Sequence, residues 1–338
     1  VSPPNRFDKL HYEIDTELDP SEEPAPETQF YRDPTRTIIN TNDSPDVGFE
    51  KSVNPYRGCE HGCVYCFARP THEYLGFSSG LDFETKIMVK EDAPELLRAE
   101  LSSAKWKPQV VVMSGVTDPY QPIERKLQLT RRCLQVLAEF RNPVAIITKG
   151  ALVSRDVDIL GEMASYGAAA VYLSITTLDP NLANILEPRA STPQLRLDAI
   201  ETLSRAGVIT GVMTAPIIPA INEHEIPAIL SAAAAAGARS AGYTVVRLPW
   251  GIAPMFEAWL EEHFPDRKEK VLHKIMDIRG GRLNDPRWGS RLKGEGNYSK
   301  QIEALFTVAC RKSGLNRKST DLSVLGFRPP AGPQLALF

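Results

Sequence analysis

"NPYRGCEHGCVYCFAR", residues 54–69, gathers three of the chain's five cysteines into one short loop. Cys59, Cys63 and Cys66 follow the spacing C-x3-C-x2-C, and Gly58 and Gly62 permit the tight turns that let three sulfurs converge. Two chemistries suit three thiolates. Zinc would complete a tetrahedron, with His61 or His72 as fourth ligand. An iron–sulfur cluster is normally held by four Cys thiolates, so three would leave one iron open to bind something else. A structural zinc loop usually gathers two pairs of ligands, whereas this single group directly follows a short predicted strand. Cys133, in an amphipathic helical pattern, and Cys310, near the far end, read as buried small hydrophobes.

Working outward, β-branched runs alternate with helical patterns from about residue 50. The strands are "ETKIMVK" (a minor one), "QVVVMSG", "VAIITKG", "AAVYLSITT", "ITGVMTAPI" and "SAGYTVVRL". Between them lie "APELLRAELSS", "LTRRCLQVLAEF", "RDVDILGEMASYG", "TPQLRLDAIETLSRAG" and "HEIPAILSAAAAAG", several closing on Gly as helices commonly do. With a strand before the cysteines this makes about six βα units, too few for a closed eightfold barrel. The reading is an α/β fold: a partial (β/α)6 barrel over residues 46–250, its strand C-termini facing one mouth. Residues 1–45 are acidic and Pro-rich without sustained period, an extended or partly disordered arm. Residues 251–328 are mainly helical and basic, a C-terminal extension, and 329–338 form a Pro-rich linker ending in "QLALF".

The 338 residues are 42% hydrophobic, enough for one large core or two modest ones. A formal charge of −3 conceals an asymmetry. Residues 1–50 hold 12 acids against 4 basic residues, a net of −8, and residues 264–328 hold 15 Lys/Arg against 7 acids, a net of +8. No apolar run reaches the roughly 18 residues of a membrane span, and the first residues lack a signal peptide's pattern. The expected address is the cytoplasm, with no membrane partner, where clustered thiols point to metal before disulfide.

C-x3-C-x2-C in "CEHGCVYC", followed by an aromatic and a partial barrel, resembles the radical S-adenosylmethionine (SAM) superfamily. More narrowly, "NPYRGCEHGCVYCFAR", "SGVTDPYQPIE" and "EPRASTPQLRLDAIETLSRAGV" are similar to the branch related to spore photoproduct lyase. The resemblance implies a [4Fe–4S] cluster on Cys59, Cys63 and Cys66, with SAM on the open iron and an electron donor. Reductive cleavage of SAM then yields a 5′-deoxyadenosyl radical.

It also assigns the strand ends. Ser114, Gly115, Thr117 and Asp118 would meet the methionine end of SAM, although "TDPYQP" is also simply a good turn. Lys149 would take the SAM carboxylate and Ser174 would contact the cofactor, whereas a lysine closing a strand is usually a solvated cap. Phe67 fits packing beside adenine, or the core, and "APIIPAIN" (215–222) would shape the adenine pocket or be an ordinary loop. Glu187 and Arg189 form an ion pair, or Arg189 reaches the carboxylate. One departure stands out: related lyases use a cysteine hydrogen donor in the segment where Ser114–Pro122 has none, leaving Tyr120 as a weak catalytic candidate.

The basic end, with Trp288, suits nucleic-acid phosphates and base stacking, or is a solvated helical cap. "QLALF" matches the peptide by which repair proteins bind the sliding clamp, Gln334 hydrogen-bonding and Leu335, Leu337 and Phe338 filling a groove; otherwise it folds back on its own barrel. The expectation is a radical SAM enzyme acting on damaged or modified DNA. The alternatives are RNA, peptide or small-metabolite substrates, and a zinc-stabilised nucleic-acid-binding module without catalysis.

Overall fold

A computed structural model describes Pro3 and residues 27–318 and 320–329. Its strands are β1 (Gln29–Arg32), β2 (Ile39–Thr41), β3 (Lys51–Val53), β4 (Tyr56–Arg57), β5 (Lys86–Val89), β6 (Val111–Met113), β7 (Val144–Thr148), β8 (Ala169–Ser174), β9 (Ile209–Ile217) and β10 (Ser240–Val245). The larger sheet runs β10-β9-β8-β7-β6-β3-β2. Strands β3 and β6 to β10 are all parallel, and β2 closes the edge antiparallel to β3. Six parallel strands in chain order are the expected partial (β/α)6 barrel.

The crossovers explain why these segments are helical. Helices α1 (Ala93–Leu101), α2 (Leu129–Glu139), α3 (Val157–Ser165), α4 (Pro193–Arg205) and α5 (Ile226–Ala235) bury Leu97, Leu134, Leu137, Leu160, Ile200, Leu203, Ile229 and Leu230 in one core with the sheet. At the start of α4 the Thr192 side chain accepts from the Leu195 amide at 3.4 Å and Pro193 takes a first-turn position, a cap that fixes where the helix begins.

Two boundaries read from the sequence need correction. Seven described residues of the supposed arm are sheet: β1 pairs with β5 in a small β1-β5-β4 sheet, and β2 pairs with β3. Both lie on sheet edges and are largely exposed, so their side chains carry no alternation of polar and apolar positions to read. The C-terminal region is likewise no mere extension. Helix α8 (Gly296–Ser313) sends Ile302, Phe306, Ala309 and Cys310 into the main core, while α6 (Ile252–His263) and α7 (Lys268–Asp277) build a second one. That second core joins Phe256, Trp259, Val271 and Ile275 to Tyr65, Leu186, Ile218 and Val246. Cys133 and Cys310 are buried as small hydrophobes. No described helix is long and apolar enough to cross a membrane. Residues 4–26, and Gln334, Leu335, Leu337 and Phe338 of the tail, lie outside the described residues.

Candidate active site

The strand ends open on a cavity of about 800 Å³. Cys59, Cys63 and Cys66 line it together with Phe67; Ser114, Gly115, Thr117 and Asp118 follow β6, Lys149 follows β7, and Ser174 ends β8. Burial pushes the Cys63 thiol up to about 12 and holds Cys59 well above the usual thiol range. Free thiols of that kind are poor nucleophiles; the charge of a metal would deprotonate them. Among the described residues no three His, Cys, Asp or Glu side chains gather as a single metal ion requires.

The cysteine loop, neither helix nor strand, is held from several sides. Thr117 Oγ1 donates to Gly58 O at 2.5 Å, and the Glu60 amide donates to Gln121 Oε1 at 2.9 Å. Arg69 Nε donates to Cys63 O at 3.0 Å, and its far end reaches Glu84 Oε1 at 3.2 Å. Gly58 has φ +79°, and a Cβ there would stand 2.8 Å from the Phe83 carbonyl, so the turn requires glycine.

Asp118 ties the loop to the sheet. Its Oδ1 accepts from Thr148 Oγ1 at 2.5 Å and the Tyr120 amide at 2.8 Å; its Oδ2 accepts from the Lys149 amide at 2.7 Å and faces His61 Nδ1 at 3.4 Å. Burial alone would raise its pKa, but His61 and these donors outweigh burial and hold it at about 2. Deeper still, Glu187 accepts from Thr176 Oγ1 at 2.5 Å and from Tyr65 Oη and Arg196 Nη2, and Arg196 Nη1 donates to Ser174 O at 2.8 Å. Lys149 lies 5.6 Å from the centre of the Tyr65 ring. Burial disfavours its charge, but Glu187 and Cys63 more than offset this, so its pKa is raised and the ammonium persists at the mouth.

Three expected residues lie elsewhere. Arg189 is absent from the cavity lining and does not pair with Glu187, which is already engaged by Arg196. Its guanidinium instead grips Glu60 O and Glu84 Oε2, clamping the cysteine loop from outside. Tyr120 is buried away from the cavity, donating to Asp156 Oδ2 at 3.0 Å. His72, the alternative zinc ligand, faces Lys86 O at 2.8 Å and also lies off the cavity. Sequence reading missed Tyr65, His61 as partner of Asp118, and the lining supplied by Tyr243, Arg247, Lys293 and Phe306. Tyr65 and His61 stand inside the cysteine stretch itself; the only signal for the others was position on or just beyond β10 or in the basic region.

The Radical SAM superfamily model matches residues 53–233, just over half of the chain. The chain belongs to the radical SAM superfamily. Three thiols and a buried cation line one cavity, a donor set that fits the [4Fe–4S] cluster and SAM implied by that superfamily. An uncharacterized protein of Mycobacterium tuberculosis is 37% identical over 220 residues, 64% of this chain and 65% of that protein, so the match spans less than two thirds of the relative. The radical SAM Nα-GlyT isomerase of Pseudomonas phage M6 is 26% identical over 227 residues, 66% of this chain and 45% of that protein. In fold the chain is similar to spore photoproduct lyase complexed with dinucleoside spore photoproduct: TM-score 0.61, 16% identity, 85% of this chain and 80% of that chain covered.

Proposed function

We propose that this radical SAM enzyme acts on damaged or modified DNA, with Cys59, Cys63 and Cys66 holding the cluster and Lys149 and Ser174 receiving SAM. The observation that carries the reading is the shared cavity: the three thiols and the buried ammonium line the same space, which continues past them to β10 and α8. Bound together, cluster and SAM supply a 5′-deoxyadenosyl radical able to abstract hydrogen from a substrate. The chain's own part is to hold, orient and exclude water. Lys149 offers a charge to the SAM carboxylate, and Arg196 fixes the carbonyl of Ser174. Phe67 and the Ala215–Pro216 end of β9 offer apolar surface for adenine. About 800 Å³ lies toward the upper end of the roughly 300–1,000 Å³ typical of ligand sites, leaving room beyond the cofactor.

DNA is favoured over other substrates by charge and by likeness. Several basic side chains of the C-terminal region serve the fold: Arg279 donates to four carbonyls, and Arg287 pairs with Asp285. Arg311, Lys312, Arg317 and Lys318 remain exposed at the end of α8, flanking Asn316, which lines the cavity. The fold neighbour complexed with a dinucleoside lesion supports the same class. Without a cysteine in Ser114–Pro122, and with Tyr120 turned away, repair by the hydrogen-donor route of those lyases is not proposed.

The test is anaerobic reconstitution with iron and sulfide, then SAM and dithionite. The parent should form 5′-deoxyadenosine, faster with ultraviolet-irradiated DNA, while Cys63→Ala should lack the brown cluster and the product. Nucleoside formation indifferent to every DNA offered would overturn the DNA reading and leave RNA, peptide or a small metabolite.

A further inference from the structure

The cavity presents two cations to its interior without an ion-pair partner among the described residues. Lys149 stands at the end of β7 and Arg247 just beyond β10. Three strand spacings separate those strand ends, on the order of 14 Å along the sheet. SAM carries a single carboxylate, and its sulfonium and ammonium make it a net cation. A second unpaired cation beside a cationic cofactor calls for an anion from somewhere else.

Arg247 has the surroundings of such a site. Its guanidinium lies 4.3 Å from the centre of the Phe67 ring, a contact that orients the fork and leaves its N–H groups to donate elsewhere. The nearby carboxylate, Asp46, is already taken: Oδ1 accepts from the Gly289 amide at 2.6 Å and Oδ2 from Arg291. Burial, then the neighbouring Arg291, pulls the pKa of Arg247 down to about 10, so it keeps its charge near neutrality in a place that disfavours it. The same strand supplies a second, independent sign. Tyr243 is only 7% exposed and lines the cavity, and among the described residues its hydroxyl has no hydrogen-bond partner. A buried hydroxyl left without a partner is costly, and a ligand oxygen would relieve it.

We infer that Arg247 forms a substrate subsite that takes a phosphodiester of the nucleic acid, holding the backbone beside the target nucleotide while Lys149 holds the cofactor, and that the Tyr243 hydroxyl, four residues back along the same chain segment, donates to another oxygen of the same ligand. The inference deepens the DNA reading and rests on it. A planar guanidinium offers two parallel donors to a phosphate, and the Phe67 ring packs against it.

The test compares thymidylyl-thymidine, which carries one phosphate, with its uncharged methylphosphonate analogue, on anaerobically reconstituted protein saturated with SAM. The parent should bind the charged dinucleotide about tenfold more tightly or better. Arg247→Met, which keeps a flexible apolar stem, should bind the two alike while retaining parental SAM affinity by equilibrium dialysis. Arg247→Lys should recover part of the preference, and Tyr243→Phe should weaken it less than Arg247→Met does. If Arg247→Met still prefers the charged form, the subsite is wrong although the DNA reading stands. If Arg247→Met loses SAM instead, the residue belongs to the cofactor and the inference falls. If the parent binds neither dinucleotide, the DNA reading stands or falls on the 5′-deoxyadenosine test above, and inorganic phosphate decides the subsite. Phosphate raising the Tm of the parent and not of Arg247→Met would retain an anion site there; equal shifts, or none, would remove it.

Discussion

Glu187 is fully buried under the strand ends, and three side chains spend their polar atoms on it. Burial opposes its charge, but Arg196, then Lys149, then the Thr176 and Tyr65 hydroxyls outweigh burial and bring its pKa down to about 2. In an unfolded chain it would titrate near the ordinary glutamate value, about 4.3. The folded state therefore binds its proton less readily, and the stabilisation is complete above about pH 4.5 and is lost as pH falls toward 2. Glu187→Gln strands the buried Arg196 and should cost about 3–5 kcal/mol at pH 7, read by chemical denaturation. The variant should also lack the part of the parent's acid sensitivity that lies in that window. A stability profile parallel to the parent's from pH 7 to pH 3 would show that Glu187 does not carry that sensitivity. The sequence displayed "EPRAST" plainly enough, but it could not assign the partner. Glu187 pairs with Arg196, seven residues beyond Arg189 and one α-helical segment on, because the turn before α4 aims the first arginine back at the cysteine loop.

At the scale of elements, the six parallel strands were legible because each is a β-branched run followed by a helix of fitting length. The cysteine loop was legible as chemistry and opaque as structure. Its spacing announces three thiolates, but what holds it comes from residues 69, 84, 117, 121 and 189; all stand in the stretches quoted above, yet nothing in those stretches says that their side chains grip the loop. Glu84 is the hinge of that support, pairing with both Arg69 and Arg189. Arg189→Met should accordingly leave SAM affinity of the loaded enzyme near the parental value while making the loop looser. The expected readout is release of iron to a chelator several times faster than from the parent, with intact far-ultraviolet circular dichroism. A large loss of SAM affinity with unchanged iron release would restore the reading in which Arg189 meets the cofactor carboxylate.

For the whole molecule, an open sheet of six parallel strands leaves a gap between β10 and the β2–β3 edge, and the chain fills it with its own loops. Residues 285–294 lie along β10, where the Val245 amide donates to Leu292 O at 2.8 Å and the buried Arg279 joins the carbonyls of Val245 and Val246 to those of Ser290 and Arg291. From the opposite edge the β2–β3 loop brings Asp46 to Gly289 and Arg291. Among the described residues, Asp46 of the acidic N-terminal region thus meets Arg291 of the basic C-terminal region, a pairing that a net of −8 against +8 could suggest but never locate. Arg291→Ala removes the side-chain half of that closure and leaves the backbone half. Amide exchange in residues 43–49 and 285–294 should rise by about tenfold, consistent with the loss of one charge-assisted hydrogen-bonded pair, while β7 to β9 keep parental protection. Because Arg291 also disfavours the charge of Arg247, the same variant should leave the proposed phosphodiester preference intact or strengthened. Protection unchanged in both loops would mean that the backbone contacts of β10 close the barrel by themselves, and the Asp46–Arg291 pair would then be a passenger on that closure.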